Sequence, residues 1–271
     1  MVSSSRRVLA IVATGWVALL TLSAIFSTWL PLPDPLAVDL GRALSPPGMD
    51  HWMGTDELGR DLLVRLVTAA RATLLITAGA AALNVALGAL LGGAAGFFGG
   101  WLDDVLSFLV DLFWSVPFLV FVVLIISVTG VSPLSLILTI GLINWVTAAR
   151  VVRAETTRLR ELDFVRTAQA FGFSRAAVLI HEILPNLRST LMALAAFSAI
   201  EVLTLETGLA FLGLSLPAPA PTWGGLLAEG LTYLSAAWWM AISTAGLITL
   251  TLASLQVLSR GIDAARLLER R

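Results

Sequence analysis

The chain has no cysteine and no lysine, only two histidines, and few charged residues of any kind. Without cysteine there is neither a disulfide framework nor thiol chemistry, and cysteine usage says nothing about compartment. Without lysine there is no P-loop lysine and no Schiff-base lysine, and all 17 basic residues are arginine. His51 and His181 are far apart in sequence and lack a metal-ligand spacing with each other. These absences weigh against a chain that is by itself a hydrolase or an ATPase. The charged fraction is 13%, where a soluble domain carries about a quarter. Together with 58% hydrophobic residues and a mean hydropathy of +0.90, it reads as an all-α integral membrane protein. In such a chain the placement of charge matters more than its net value of −1.

A bilayer core requires about 20 apolar helical residues, and six stretches of the sequence meet that need. Val8 to Leu30 is uncharged, follows Arg6 and Arg7, ends at Pro31, and is expected as an uncleaved first span. A polar loop then runs to about Arg71. Ala72 to Phe98 is the second span, with Gly88, Gly92 and Gly96 on one face where another helix can approach closely. Val105 to Val128, with Asp111 and Pro117 inside it, is the third, and Pro133 to Val152 the fourth. Leu191 to Leu214 and Ala236 to Leu258 complete the set. All but four of the arginines fall on one side of this topology, the exceptions being Arg42, Arg60, Arg65 and Arg71. The bias predicts both termini in the cytoplasm, with the segment between the fourth and fifth spans on the same side.

That segment contains "FVRTAQAFGFSRAAVLIHEILPN", Phe164 to Asn186. It reads as two short helices: Gly172 ends the first through its tolerance of positive φ, Ser174 caps the second, and Pro185 stops it. Small residues beside Phe164, Phe171 and Phe173 make a compact apolar knob suited to a groove on another protein. An amphipathic loop lying on lipid headgroups, with Arg166 and Arg175 meeting phosphates, is the competing reading.

In the loop after the first span, "GTDELGRDLLVRL" reads as a helix capped by Thr55 or Asp56, lying at the outer membrane surface, with Asp61 and Arg65 paired four residues apart. "PAPAPTWGG" reads as a stiff re-entrant loop with Trp223 at the interface, and Trp238 and Trp239 as headgroup anchors. Asp111, Asn144, Glu201 and Glu206 lie within spans, where polar and acidic groups are expensive and hence candidates for a translocation path. Interhelical hydrogen bonding is the alternative for the two glutamates.

Ala168, Ala170 and Gly172, followed by Ile183, Leu184 and Pro185, resemble the coupling loop of ABC importer permeases, although Arg166 and Thr167 stand where that family carries Glu and Ala. "GTDELGRD", "AGFFGGWLDDVL", "DLFWSVP", "LETGLAFLGLS" and "PTWG" resemble the dipeptide, oligopeptide and nickel subfamily, particularly its C-type subunit, from about Met53 to Arg260. This resemblance implies a type I importer permease fold with six transmembrane helices in the bacterial cytoplasmic membrane. It divides the chain into 1–71 (first helix, extracytoplasmic loop and interfacial helix), 72–260 (permease core, coupling loop at about 156–188) and a 261–271 tail.

It also implies partners: a second permease in a heterodimer, two ATPase subunits or domains that bind ATP and Mg, and an extracytoplasmic substrate-binding protein, in a lipid setting and without nucleic acid. No cofactor, metal or catalytic residue is expected in this chain. Docking to the ATPase would fall to Arg166, Thr167, Ala168, Ala170, Phe171, Gly172, Phe173, Ser174, Arg175, Ile183, Leu184 and Pro185. Gly54, Thr55, Asp56, Gly59, Arg60, Asp61, Pro221, Trp223 and Gly224 would form an outer gate or binding-protein contact. The cargo expected is peptide, with nickel or another chelate as the alternative. A self-contained ion-coupled secondary transporter or an uncoupled channel or scaffold would have no use for the knob.

Overall fold

A computed structural model describes residues 4–27, 29 and 32–269 and, among these, forms helices and loops without a named strand. Pro31, Arg270 and Arg271 lie outside the described residues. In chain order the principal helices are α1 (Ser4–Phe26), α2 (Leu62–Phe98), α3 (Trp101–Ser115), α4 (Phe118–Thr129) and α5 (Pro133–Arg160). They continue as α6 (Asp163–Ala170), α7 (Arg175–Val178, extended by a wider turn over Leu179–Ile183), α8 (Arg188–Phe211), α9 (Trp223–Thr232) and α10 (Trp238–Glu269). Among the described residues, five helices are long and apolar enough to cross a bilayer, or six if the bent α3–α4 pair counts as one broken span.

Two helices differ from the sequence expectation. The third span is not straight: α3 and α4 meet at 87° across Val116 and Pro117, because proline offers no N–H to the turn before it and its ring clashes with the carbonyl four residues back. The amphipathic helix expected from Thr55 does not form separately. Thr55 and Asp61 pair instead across a tight turn, and α2 begins at Leu62, capped by the Asp61 carboxylate, which accepts from the Val64 amide at 3.0 Å.

The chain divides into two compact units. In one (1–78, 129–136 and 199–258) the core gathers Leu20 and Ala24 of α1, Leu62, Leu66 and Ala69 of α2, Leu203 of α8, and Trp223, Trp239 and Met240. Trp223 is fully buried, its indole donating to the Leu66 carbonyl at 3.0 Å and its amide to the Thr73 hydroxyl at 3.0 Å. Trp239 is likewise buried and donates to the Thr55 carbonyl. Both side chains are therefore turned into this unit and not outward as headgroup anchors. An indole N–H that finds a carbonyl inside the fold has no need of the headgroup layer. Trp238 is exposed. The "PAPAPTWGG" stretch ends in helix α9, whose cap is Thr222, accepting from the Gly225 amide.

In the other unit (79–128, 137–198 and 259–271), α2 and α5 pack almost backbone to backbone. A Cβ built on Gly88 would sit 2.5 Å from Ala148 Cβ, on Gly92 2.3 Å from the Ala149 carbonyl oxygen, and on Gly96 2.5 Å from that of Arg153. The four-residue glycine spacing thus serves a contact within this chain, the close approach that small residues permit in lipid. Salt bridging of Arg153 to Asp103 ties the start of α3 to α5.

Candidate functional site

The segment after α5 folds as a knob on a buried stem. Val165 of α6, Val178 of α7, Ile183 and Leu187 point inward onto Phe97, Val152 and Leu159. The ends of α2 and α5 hold this stem from below: Arg160 donates to the Gly96 and Phe97 carbonyls at 3.1 and 3.3 Å, satisfying groups that a helix end leaves open. The Arg175 guanidinium stands 5.4 Å over the Phe98 ring, a cation–π contact.

Helix α6 closes on a glycine cap, with the Gly172 amide bonded to the Gln169 carbonyl and the Phe173 amide to that of Ala168. Gly172 has φ +84° and open space around the position of a Cβ. Ser174 caps α7 as expected, accepting from the Ala177 amide at 3.2 Å. At the tip, Phe171 is 79% and Phe173 59% exposed, with Arg166, Thr167, Ala170, Ser174 and Arg175 exposed around them. Ala168 and Leu184 are half-buried, Pro185 exposed. Two expectations need correcting. Ile183 is fully buried and belongs to the stem, since an aliphatic side chain at that register meets Phe97 and not solvent. Pro185 does not stop the helix, which widens over Leu179–Ile183 and runs on to Asn186 before the break at Leu187; the wider turn accommodates a residue that cannot donate.

The loop before α2 is a latch built on one carboxylate. Asp56, with no exposed surface, accepts from the Leu58 and Arg60 amides (both 2.9 Å), from Arg60 Nε at 2.7 Å and from Arg65 Nη1 at 2.6 Å. Arg65 then forks onto Glu229 of α9 at 2.7 and 3.3 Å, and Arg60 reaches Glu57 at 3.0 Å. The expected Asp61–Arg65 pair is absent: Asp61 bonds His51 Nδ1 at 2.8 Å, because helix α2 starts after Asp61 and leaves its carboxylate facing back into the loop. Thr55 donates to the Arg42 carbonyl and accepts from the Ser45 amide. Gly59, at φ +75°, lies so close to Asp39 that a Cβ would overlap its carbonyl oxygen, so only glycine fits there. Asp56, Glu57 and Glu229 bring carboxylate oxygens within 4.8 Å of one another, but the two guanidiniums already fill the space a cation would take.

Gly54, Thr55, Asp56, Gly59, Arg60, Trp223 and Gly224 are all buried, and Asp61 and Pro221 half-buried. As a group they brace the loop from inside and do not themselves present a docking face. Among the large apolar side chains that the loop exposes, Leu40, Met49 and Trp52 stand out most, and the sequence motifs single out none of them. Glu229, His51 and Arg42 were also missed. Their partners lie across the loop or 164 residues away, beyond any local spacing rule.

Burial, more than any other cause, pushes the Glu57 carboxyl above its ordinary value of 4.5, and the neighbouring Asp56 and Glu229 carboxylates push the same way against its backbone hydrogen bond and Arg60. A raised acid binds more protons folded than unfolded, so its contribution to stability falls as pH rises from 4.5 through the raised value. Glu57→Gln removes this slope. Melting of the two proteins in detergent over about pH 4 to 8 should show the variant gaining on the wild type as pH rises; parallel curves would refute it.

The intramembrane groups fall in both units, Asp111 and Asn144 in the second, Glu201 and Glu206 in the first. Asp111 is exposed on α3, Asn144 half-buried on α5, and Glu201 half-buried on α8. Glu206 has no exposed surface; the Ser215 hydroxyl donates to it at 3.0 Å, a bond within this chain. Gly224 lets α9 approach α8, since a Cβ there would stand 2.6 Å from Ala210 Cβ.

A chain of apolar membrane-length helices, with a bent pair at proline and a braced knob between α5 and α8, has the make-up of a membrane permease. Residues 84–264 match the family described as binding-protein-dependent transport system inner membrane component. The chain belongs to that family and is a multi-pass protein of the cytoplasmic membrane. Its relatives include the oligopeptide transport system permease protein OppC of Bacillus subtilis, 32% identical over 95% of this chain and 84% of that protein. The dipeptide transport system permease protein DppC of the same organism is 32% identical over 81% and 69%. The probable D,D-dipeptide transport system permease protein DdpC of Escherichia coli is 31% identical over 91% and 83%.

Proposed function

We propose that this chain is the permease subunit that forms half of a translocation pathway for peptides and couples it to ATPase subunits bound at the knob. The observation that carries the coupling role is the knob itself: two phenylalanines flanking Gly172, 79% and 59% exposed, on a tip whose stem is locked to the ends of α2 and α5. A force applied at the tip would pass into two membrane-crossing helices without being absorbed by a flexible loop. The arginine bias supports a cytoplasmic knob with both termini on the same side. The names of the relatives, permeases for oligopeptides and dipeptides, support peptide as cargo.

On this reading a second permease completes the pathway, the ATPases bind ATP and Mg, and a binding protein delivers cargo at the opposite face. Exposed Met49 and Trp52 offer that protein an apolar contact, and the latch beneath holds them in place. ATP closes the ATPase pair, which moves the knob and reorients the spans between outward and inward access. Phosphate chemistry resides in the partners. Asp111, Asn144 and Glu201 are the polar groups available to a path; Glu206 would act there only after leaving Ser215.

The test is a mild-detergent pull-down joined to uptake assays. Wild-type chain should recover a second multi-span protein and ATPases bearing a P-loop lysine. Phe171→Ala should lower uptake by about tenfold or more, as loss of a buried aromatic anchor does. Gly172→Glu should abolish coupling while insertion in the membrane stays normal, because a side chain at φ +84° is strained yet meets nothing in this chain. Normal uptake in both variants would remove the docking role.

A further inference from the structure

A groove of about 570 Å³ opens along α1, α2, α8 and α10 in the first unit, and its lining carries one charged side chain, Arg71. Arg71 is exposed and has no hydrogen bond or ion pair among the described residues, in contrast to Arg60 and Arg65 a few residues earlier, each held by carboxylates.

The helix directions give the groove a mouth and a floor. Arg71 lies nine residues into α2 and Ile25 one residue from the end of α1, so both mark the end of the groove nearest the latch. Val17 on α1, Ala78 on α2 and Ala199 near the middle of α8 mark the deep end. From Ile25 to Val17 is eight residues, about 12 Å of helix, close to the roughly 15 Å hydrocarbon depth of one leaflet. The Thr21 and Thr251 hydroxyls that line it donate to carbonyls of their own helices, so the trough is mainly apolar, with the buried, unpartnered Thr77 hydroxyl in its wall and a single cation at its head.

We infer that this groove is a site for one membrane phospholipid, its phosphate on the Arg71 guanidinium and an acyl chain lying toward Ala199. Charge complementarity selects this occupant. An apolar helix of a partner would fill the trough but leave a guanidinium uncompensated at the edge of the hydrocarbon, where it is expensive. A phosphodiester satisfies it with two parallel hydrogen bonds, in the geometry guanidinium favours. The arginine bias makes this the outer leaflet; the site itself does not depend on that assignment or on the cargo.

Native mass spectrometry of the full chain with its co-purifying partners, after reconstitution in phosphatidylglycerol nanodiscs and release into detergent, counts retained lipid. The wild type should hold one phospholipid per copy of this chain. Arg71→Gln should cut that occupancy by about tenfold, the loss expected for a charge-assisted hydrogen-bonded contact, and Arg71→Lys should restore part of it. Ala78→Leu, which fills the deep end with Arg71 intact, should also lower it, and inorganic phosphate should not displace the lipid. Equal retention by Arg71→Gln, no retained lipid in the wild type, or displacement by inorganic phosphate would each overturn the assignment. So would efficient cross-linking of Arg71→Cys, the sole thiol in such a chain, to a second permease in lipid-free complexes.

Discussion

Asp56→Ala should destabilise the folded chain by about 3–5 kcal/mol, the usual cost of removing one partner from a buried ion pair. The carboxylate accepts from two guanidiniums whose side chains are 8% and 3% exposed, and from two loop amides. After the substitution Arg60 retains only Glu57, and Arg65 only Glu229. Two buried charges and two buried N–H groups would then share what remains. Glu229→Gln should cost less, since the Glu229 side chain is 34% exposed and solvent can replace part of what it gives. The measurement is thermal melting of the purified chain in detergent, or its half-life in the membrane. Asp56→Ala melting within error of the wild type would mean that the network is neutralised by groups outside this loop. If the exposed Met49 and Trp52 contact a binding protein, Asp56→Ala at permissive temperature should also weaken uptake at limiting binding-protein concentration more than at saturation.

Gly92→Leu should prevent the second unit from assembling. A Cβ at this position stands 2.3 Å from the Ala149 carbonyl oxygen and 3.0 Å from its Cα, which is backbone and cannot swing aside. Overpacking a core costs about 1–3 kcal/mol where side chains can adjust, and more where they cannot. The two helices must then separate, taking with them the Phe97 and Val152 contacts that support the knob. Loss of the folded chain, or insertion with failed recovery of ATPase partners, is the expected readout. A matched substitution at Gly93, where the nearest atom is a Val152 methyl at 4.0 Å, should be far milder. Equal tolerance at 92 and 93 would show that α2 and α5 are not in contact at this depth.

Much of this molecule is legible in its sequence, because a bilayer imposes a strong length rule. Apolar runs of about 20 residues, the proline within the third, and the arginine-rich ends are local features. The two short helices around Gly172 were legible for a similar reason: a cap at Ser174 and a positive-φ glycine are decided by neighbours in sequence. The glycine spacing announced a helix contact, though not that the contact would be Ala148 to Arg153 of the same chain.

The loop before α2 departs from its helical periodicity because its charges are stronger. Leu58, Leu62 and Leu66 share a face at helical spacing, yet Asp56 gains two guanidiniums and two amides only if the chain turns back before Leu62. Residue type alone suggests headgroup-facing indoles at Trp223 and Trp239, whereas each donates to a carbonyl inside the fold. What the sequence by itself determined is where the apolar helices lie, where arginine clusters along the chain and the position of the knob, since each follows from hydrophobicity and local backbone preference. Only the tertiary structure decided which knob residues face out, which motif residues are buried as a brace, and that Arg71 stands in a groove without a side-chain partner among the described residues. Those outcomes depend on pairings across as many as 184 residues, and a one-dimensional pattern carries no information on the distance between groups so far apart.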